Sequence, residues 1–289
     1  MVREYPRVTF EQFAASCGVV IKSLRRSDKI QRCGTVEHPR STNGAYLWDG
    51  ERGGVMAWDG DGVWRWYGGE RRELTPEEKR AWAKRQREAE ADRARMHQRA
   101  AEVAEAHMAA CELRTHGYLE SKGFPQERGH VAEDGSLLIP MRDVRSNALL
   151  GVQRIYWDGE RWQKKMTAGM RAKGAVFRIG PRMRETWLVE GYATGLSVAA
   201  ALRRMHVHAD VLVTFSANNM QHVAPTVQGD VFVFADNDPS GTGEAAANAI
   251  GRPYCMAPII GYDANDWHVR CGIFAIVSKI SETRLTRNP

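Results

Sequence analysis

Two short apolar runs, each followed by acidic residues, constrain the fold of this chain more than any other feature of its sequence. The runs are 187–189, followed by Glu190, and 231–235, followed by Asp236 and Asp238. Apolar runs of this length fit strands that are covered on both faces, as in a parallel sheet flanked by helices. Because open α/β folds bind their ligands at the carboxyl edge of such a sheet, the three acids are predicted to lie at a functional site.

Helical and strand-like segments alternate around these two runs. The pattern predicts helices at about 193–205 and 245–250, a strand at 211–215 and a short helix near 220–223. Alternation of this kind is typical of an α/β protein with a Rossmann-like layered fold.

The acids of this region form a candidate metal site. Glu190, Asp236 and Asp238, together with Asp263 or Asp266, would bring carboxylates from distant parts of the chain to one edge of the sheet. Anions crowded in this way repel one another, and a hard divalent cation relieves the repulsion. A Mg²⁺ ion held by carboxylates keeps open positions for phosphate, so the pattern favours phosphoryl or nucleotidyl transfer. The alternative for Asp238 is that it caps the helix that follows it.

Size, charge and cysteine content narrow the class of protein. The 289 residues, 43% of them hydrophobic, can form one large or two modest domains, and the net charge of +6 favours a polyanionic partner once a motif supports one. The five cysteines include no Cys-x-x-Cys pair, which argues for reduced thiols and against a four-ligand zinc site; Cys33 and His38 are interpreted as ordinary residues. With no signal-peptide core at the start of the chain and no membrane span, we expect a cytoplasmic protein without a membrane partner.

The segment 1–74 is rich in glycine and tryptophan. Aromatic residues alternate there with Asp-Gly turns, a pattern that predicts a small antiparallel sheet of hairpins. Trp48, Trp58, Trp64 and Trp66 could stack on single-stranded bases. In a small sheet with few other large apolar residues, however, tryptophans usually form the core, and this second interpretation is preferred.

A helix-forming segment, 75–114, comes next. Thr75 as N-cap and Pro76 in the first turn begin it, and its many Ala, Glu, Arg and Lys residues predict one long, solvated connecting helix. Apolar residues recur every seven positions, but the companion positions of a coiled coil are charged, so only a narrow docking stripe is expected. The stripe residues are Trp82, Ala89, Met96 and Val103.

The segment 115–182 contains strand-like runs with many basic residues and is predicted to form a basic surface that leads into the acidic site. Its candidate nucleotide or nucleic-acid contacts are Arg142, Arg154, Lys164, Lys165 and Lys173, with plain solvated surface as the alternative. The last segment, 183–289, holds the acids, and its basic tail from Lys279 is predicted to fray.

Several ordered motifs between about 115 and 267 resemble those of the Toprim primases of plasmids and phages, a branch of the Toprim group that also includes bacterial-type primases, topoisomerases and nucleases. The motifs are Tyr118-Leu119-x-x-Lys122-Gly123, Ile139-Pro140-Met141-Arg142-Asp143, Gly151-Val152-Gln153, Val189-Glu190-Gly191-Tyr192-Ala193-Thr194, Phe215-Ser216-Ala217-x-Asn219, Ala235-Asp236-Asn237-Asp238 and Asp263-Ala264-Asn265-Asp266. The resemblance implies a Rossmann-like Toprim catalytic domain at 183–289. A small mixed basic subdomain, the connecting helix and a Trp-rich, mainly-β N-terminal domain would precede it.

The resemblance also implies an activity, namely metal-dependent synthesis of RNA primers on single-stranded DNA from ribonucleoside triphosphates. Glu190 would coordinate metal or act as general acid or base, and Asp236 and Asp238 would hold Mg²⁺ or Mn²⁺ ions. Asp263 or Asp266 would help to bind or orient a second ion.

The same resemblance suggests roles for the polar and basic residues. Lys164 and Lys165 are the best candidates for gripping triphosphate or template phosphates, with Arg142 and Arg154 behind them, and Asn219 would shape the nucleotide site by hydrogen bonding.

The sequence departs from bacterial-type primases in two ways. Its cysteines cannot build the usual N-terminal zinc ribbon, and it lacks a Walker-type Gly-Lys-Ser/Thr motif, so unwinding would need a separate helicase. Two alternatives to a primase stay open: a Toprim-type nuclease in which the same metal site activates water, and a catalytically silent protein that binds nucleic acid or a partner. A topoisomerase is disfavoured because the chain is short and no tyrosine stands in a recognisable nucleophile setting.

Overall fold

The computed structural model describes residues 8–60, 62–67 and 76–286. The chain divides into two compact units, Met1–Ala83 and Lys84–Pro289. No helix in the described ranges is both long enough and apolar enough to cross a membrane.

The N-terminal unit is built on an antiparallel sheet, as the hairpin pattern predicts. Its described elements are helix α1 (Phe10–Ser16) and strands β1 (Val19–Val20), β2 (Ser27–Thr35), β3 (Gly44–Trp48), β4 (Gly53–Ala57) and β5 (Arg65–Tyr67), with the strands paired in sequence order. Helix α1 begins at a capping box in which Thr9 and Gln12 each accept a hydrogen bond from the other's backbone N–H. It packs Phe10 and Ala14 against the sheet.

The tryptophans of this unit divide between core and surface. Trp48 stacks on Phe10 with ring centroids 4.5 Å apart and packs against the buried cluster. Trp58 and Trp66 are 46% and 67% exposed, and Trp64 stacks on Trp66 at 5.8 Å. The preferred interpretation is therefore confirmed for Trp48 and wrong for Trp58 and Trp66. The register explains Trp66, because its strand position places it on the face of the sheet opposite the core.

Helix α2 (Pro76–Ala109) is the predicted long helix. Its predicted N-cap, Thr75, and the side chain of Trp82 lie outside the described residues. The predicted docking stripe is wrong at Ala89 and Val103, which are exposed, while Met96 is 50% exposed but lies against Gly169.

An alanine stripe docks instead. Ala100 and Ala104 are buried, and Ala104 packs against Leu138 and Val152. Small side chains allow the helix to approach the sheet closely, so alanine spacing marks the contact better than the larger apolar residues do.

The second unit contains a mixed sheet. Its strands are β6 (Glu112–Arg114), β7 (Gly129–Val131), β8 (Leu137–Asp143), β9 (Leu149–Trp157), β10 (Trp162–Met166), β11 (Ala175–Ile179), β12 (Glu185–Val189), β13 (Ala209–Val213), β14 (Asp230–Ala235) and β15 (Tyr254–Met256). The main path runs β10-β9-β8-β11-β13-β12-β14-β15, and β7 extends from β8 to β6. Strands β6 to β11 pair antiparallel, whereas β12 to β15 pair parallel, and β11 joins the two halves along β13.

Helices cover both faces of the parallel half, as the two apolar runs predict. They are α3 (Gly117–Ser121), α4 (Tyr192–Arg204), α5 (Ala217–Val223), α6 (Thr242–Ile250), α7 (Ala264–Cys271) and α8 (Ile273–Leu285), with a 3₁₀ turn at Ala224–Thr226. Trp187 and Val189 pack in a cluster with α4, α7 and α8, while Leu188 packs with α5 and α6. Successive residues of one strand thus point to opposite cores.

The end of α8 corrects the predicted frayed tail up to residue 286, and residues 287–289 lie outside the described residues. Ile280 and Thr283 are buried, and the Arg284 guanidinium donates to Glu185 at 3.0 Å. Apolar residues at helical spacing therefore hold this basic helix in place as far as Leu285.

Candidate functional site

The parallel sheet brings the predicted acids to one edge. Strands β12 and β14 are hydrogen-bonded neighbours, with Val189 opposite Phe234, so Glu190 and Asp236 leave the sheet at the same end. The charges of Asp263, Glu190 and Asp238 all act on Asp236. We call Glu190, Asp236, Asp238, Asp263 and Asp266 the rim acids.

The carboxyl group of Asp236 is incompletely hydrogen-bonded. Its Oδ1 atom is buried and has no hydrogen-bond partner among the described residues. Burial first, and then the negative charges of Asp263 and Glu190, raise the pKa of Asp236 to about 7. A buried acceptor in a negative field needs either a proton or a cation, and this orphaned oxygen fits a hard divalent metal ion.

Glu190 lies beside this group. It is half-buried, and burial followed by the charge of Asp238 raises the pKa of its carboxyl group. The Ala217 N–H and the Lys164 ammonium favour its charged form and oppose that shift. Glu190 can therefore exchange a proton closer to neutral pH than an ordinary glutamate.

Asp238 does cap the helix that follows, as the alternative interpretation held. Its carboxylate accepts hydrogen bonds from the N–H groups of Ser240 and Gly243, both at 2.9 Å. Hydrogen bonds from the Ser240 side chain and the Gly243 backbone lower the pKa of Asp238 to about 2. The cap does not remove Asp238 from the rim, because its charge still raises the pKa values of Glu190 and Asp236.

Asp263 and Asp266 form a capping box at the start of α7. Asp263 accepts from the Asp266 N–H at 2.8 Å and from the Thr194 hydroxyl at 3.0 Å. Asp266 lies 3.9 Å from the ammonium of Lys122. Both acids are thus held in fixed positions, Asp263 within the field of Asp236 and Asp266 beside a cation.

The rim acids are spaced more widely than the ligands of a metal ion that is coordinated by protein atoms alone. No three of them, as described, bring ligand atoms within 4.8 Å of one another; the cluster that meets this distance in the described chain is Glu37, His38 and Asp59 of the N-terminal unit. The rim nevertheless has a donor set that fits Mg²⁺, because it holds the orphaned oxygen and this ion is commonly bound by one or two carboxylates with water and substrate phosphates.

Lys164 is the predicted cation that the fold brings to the acids. Its Nζ lies 5.8 Å from the centre of the Tyr118 ring. Lys164 is exposed, but partial desolvation beside the rim and the nearby Lys122 lower its pKa, while the charges of Asp263 and Asp236 act in the opposite direction. This lysine is therefore electrostatically coupled to the rim.

Lys165 points the other way. Successive residues of a strand face opposite sides, and the register pairs Lys164 with Ile155 of the core but Lys165 with Arg154. Lys165 lies over Tyr156, and Arg154 pairs with Asp134. The two predicted lysines thus occupy different surfaces of the sheet.

Three other residues predicted to contact nucleotide or nucleic acid, Arg142, Lys173 and Asn219, are not among the groups that shift the pKa values of Glu190 and Asp236. Arg142 donates to the Asn147 carbonyl at 3.1 Å, and Lys173 is exposed. Asn219 accepts from the Gly174 N–H and donates to the Ala175 and Thr214 carbonyls, at 2.7–2.8 Å. Because these bonds use its whole amide group, Asn219 ties helix α5 to two strand ends.

Sequence reasoning overlooked a buried polar network behind the rim. Asn265 donates to the Lys122 carbonyl at 2.9 Å and to Ser197 at 3.0 Å, and Ser197 also contacts His268. The network fastens the end of α3 to α7, which sets Lys122 beside Asp266. The available signal was Asn265 itself, which lies between two acids in a motif already noted.

Comparison with known proteins defines the class of the second unit. Residues 185–273 match the family model described as the Toprim domain. The chain is thus a mixed α/β protein in which residues 185–273 match the Toprim model, and the matched stretch includes all five rim acids.

One solved structure similar to this chain is described as the structure of the DnaG catalytic core. The identity is 15% and the TM-score 0.34, with 56% of this chain and 58% of that one covered. The chain therefore spans somewhat more than half the length of that catalytic core.

Proposed function

We propose that this protein is a DNA primase, a nucleotidyltransferase that makes RNA primers on single-stranded DNA with the help of Mg²⁺ or Mn²⁺. The observation that carries the proposal is the buried Oδ1 of Asp236, which has no hydrogen-bond partner among the described residues and belongs to a carboxyl group with a pKa of about 7. It sits in a Toprim domain, at the edge where an α/β sheet binds its ligands. We extend the proposal to a role in phage or plasmid replication, in the cytoplasm and beside a separate helicase.

Different rim acids would bind different metal ions. Asp236, Glu190 and Asp238 would hold the ion, and Asp263 and Asp266 would help with a second one. A bound divalent ion would acidify the attacking 3′-hydroxyl and offset charge on the triphosphate and the leaving pyrophosphate.

The chain's own groups would then orient the reactants. Glu190, with its raised pKa, would accept a proton near neutral pH. Lys164 would place its ammonium against the triphosphate, while Lys122 would hold Asp266. Arg142, Arg154, Lys165 and Lys173 would contribute more weakly, as template contacts on the basic surface.

Primer synthesis from labelled ribonucleotides on a single-stranded template, with and without Mg²⁺ or Mn²⁺, tests the proposal. Asp236→Asn should abolish metal-dependent incorporation, while Glu160→Gln, which removes an exposed acid in the turn between β9 and β10, should leave it. Lys164→Gln should lower kcat/KM at least tenfold more than Lys165→Gln, because only Lys164 is coupled to the rim, and roughly tenfold corresponds to one lost charge contact. Equal losses in the two lysine variants would contradict the assigned role of Lys164.

A Toprim-type metal-dependent nuclease is the second candidate, since the same acids can hold an ion that activates water. Shortening of the nucleic acid without incorporation, lost in Asp236→Asn, would replace the primase by the nuclease. Binding without either reaction would leave a catalytically silent nucleic-acid or partner-binding protein.

A further inference from the structure

The N-terminal unit contains a basic cavity of about 370 Å³ that the proposed activity does not use. Cations and hydroxyl groups form most of its polar wall, together with the amide of Gln31, and no carboxylate among the described residues lines it. The wall includes Lys22, Arg25, Arg32, Arg40, Ser41 and Thr42. A wall of this composition offers hydrogen-bond donors of one charge to a ligand rich in acceptors.

Backbone contacts hold the cationic segments around the cavity. The Tyr46 hydroxyl donates to the Ser23 carbonyl at 3.0 Å and accepts from the Arg25 N–H at 3.2 Å, which fixes the segment before β2 on strand β3. On the other side, a Cβ atom on Gly34 would come within 2.5 Å of the Pro39 carbonyl oxygen. The glycine thus lets the segment with Arg40 lie close against β2.

The charges that face the cavity are not neutralised by the protein. None of the four cations forms an ion pair with a carboxylate in the described part of the chain. The neighbouring thiol of Cys33 also stays neutral, since burial raises its pKa to about 11. Four like charges around one cavity repel each other, and an anionic ligand would relieve the repulsion.

Arg32 is already oriented. Its guanidinium carbon lies 3.7 Å from the centre of the Trp58 ring, a cation–π contact that holds the planar group in place. Trp58 is 46% exposed and does not line the cavity itself, but it presents an aromatic face beside Arg32, which does. Cations next to an exposed aromatic ring are the combination by which proteins hold the phosphates and bases of single strands.

We propose that this cavity binds the phosphate groups of a single-stranded polynucleotide, as a site distinct from the rim acids. Cations on both sides of the cavity suit successive phosphates of a chain better than a single phosphate group. The proposal does not depend on the reaction assigned to the rim, because the two sites share no residue.

The test is anisotropy of a fluorescein-labelled oligodeoxythymidylate with the whole chain in EDTA, over a series of salt concentrations. The variant Arg32→Gln with Arg40→Gln removes two cavity cations. The control, Arg26→Gln with Arg52→Gln, removes two cations of the same unit that already face Asp49. Circular dichroism and thermal melts of all three proteins check that the substitutions leave the fold intact.

We expect several-fold weaker binding by the cavity variant only. Its slope of log affinity against log salt should be smaller by about 1.4, since each phosphate contact to a single strand contributes about 0.7. Equal losses in variant and control, or no loss in either, would overturn the proposal.

A competition experiment separates two sources of phosphate. Unlabelled oligodeoxythymidylate should displace the labelled strand, and tripolyphosphate at the same phosphate concentration should displace it far less well. If tripolyphosphate competes equally well, the cavity is a site for free polyphosphates and the polynucleotide assignment is wrong.

Discussion

At the scale of single residues, Asp236 shows how folding produces a carboxyl group that a bound cation would stabilise in its charged form. An isolated aspartate is charged at neutral pH, but here burial and three neighbouring acids favour the protonated form. Between the ordinary pKa of 3.8 and the raised value of about 7, the folded protein holds a proton that the unfolded chain has lost. Folding is then linked to proton uptake at this residue.

This linkage predicts how stability depends on pH. In EDTA, the free energy of unfolding should fall as pH rises from about 4 to 7, by an amount on the order of a few kcal/mol. Asp236→Asn should show a flatter profile, and added Mg²⁺ should stabilise the wild type most above pH 7. Urea unfolding across this pH range measures the effect. Parallel profiles for the two proteins in EDTA would show that Asp236 does not carry the linkage.

A second residue, Asn219, is predicted to matter for stability. Asn219→Ala would leave the Gly174 N–H and two backbone carbonyls without their partners, at a cost of about 2–4 kcal/mol in urea unfolding. Since the amide is fully used inside the protein, nucleotide affinity of the folded variant should stay within twofold of the wild type, as measured by titration. A large loss of affinity in a stable variant would restore the nucleotide-binding role that the sequence motif suggested.

At the scale of elements, helix α2 shows why charge-rich helices are hard to place from sequence. Its larger apolar residues Met96 and Val103 stay half exposed, while Ala100 and Ala104 are buried. Alanine has little hydrophobicity to mark a face in a sequence where it is also the commonest helix former.

The alanine contact leads to a paired test. Ala104→Glu should destabilise the second unit by about 2 kcal/mol or more, since it forces a charge against Leu138 and Val152. Ala106→Glu, on an exposed position of the same helix, should change stability by less than about 0.5 kcal/mol. Thermal and urea unfolding of the two variants measure the difference. Similar effects would mean that the stripe does not dock as described.

At the scale of the whole molecule, each compact unit has a hydrophobic core of its own. Val55 belongs to the cluster of the N-terminal unit, whereas Leu212 is buried within the second. We expect calorimetry to resolve two unfolding transitions, because proteins with several cores often depart from two-state behaviour.

Substitutions in each core should identify the transitions. Val55→Ala should lower one by about 2 kcal/mol, and Leu212→Ala should lower the other by about 2–5 kcal/mol. A single transition that both variants shift equally would mean that the chain unfolds as one cooperative body.

Three acids of the candidate site, Glu190, Asp236 and Asp238, could be predicted from the sequence, because they follow runs of residues that form strands. Short apolar runs ending in acids indicated parallel strands and their carboxyl edge, and the acids do meet there. The basic contacts were less predictable, because Lys164 and Lys165 are adjacent in sequence but lie on opposite faces of β10. A strand's alternation is known in advance, whereas which of its faces lies toward the acids depends on how the sheet is assembled.

By itself, the sequence determined the central strands β12 to β14, the helices α2, α4, α5 and α6 and the identity of the acids, since local hydrophobic periodicity and turn chemistry act over a few residues. Only the tertiary structure decided that a buried oxygen of Asp236 finds no hydrogen-bond partner among the described residues and that the Asn219 amide bonds to the backbone. It also decided that four cations from β2 and the segments on either side of it line one cavity. These features depend on burial and on contacts between residues far apart in the chain. Desolvation and electrostatic fields arise only once such residues have been packed together.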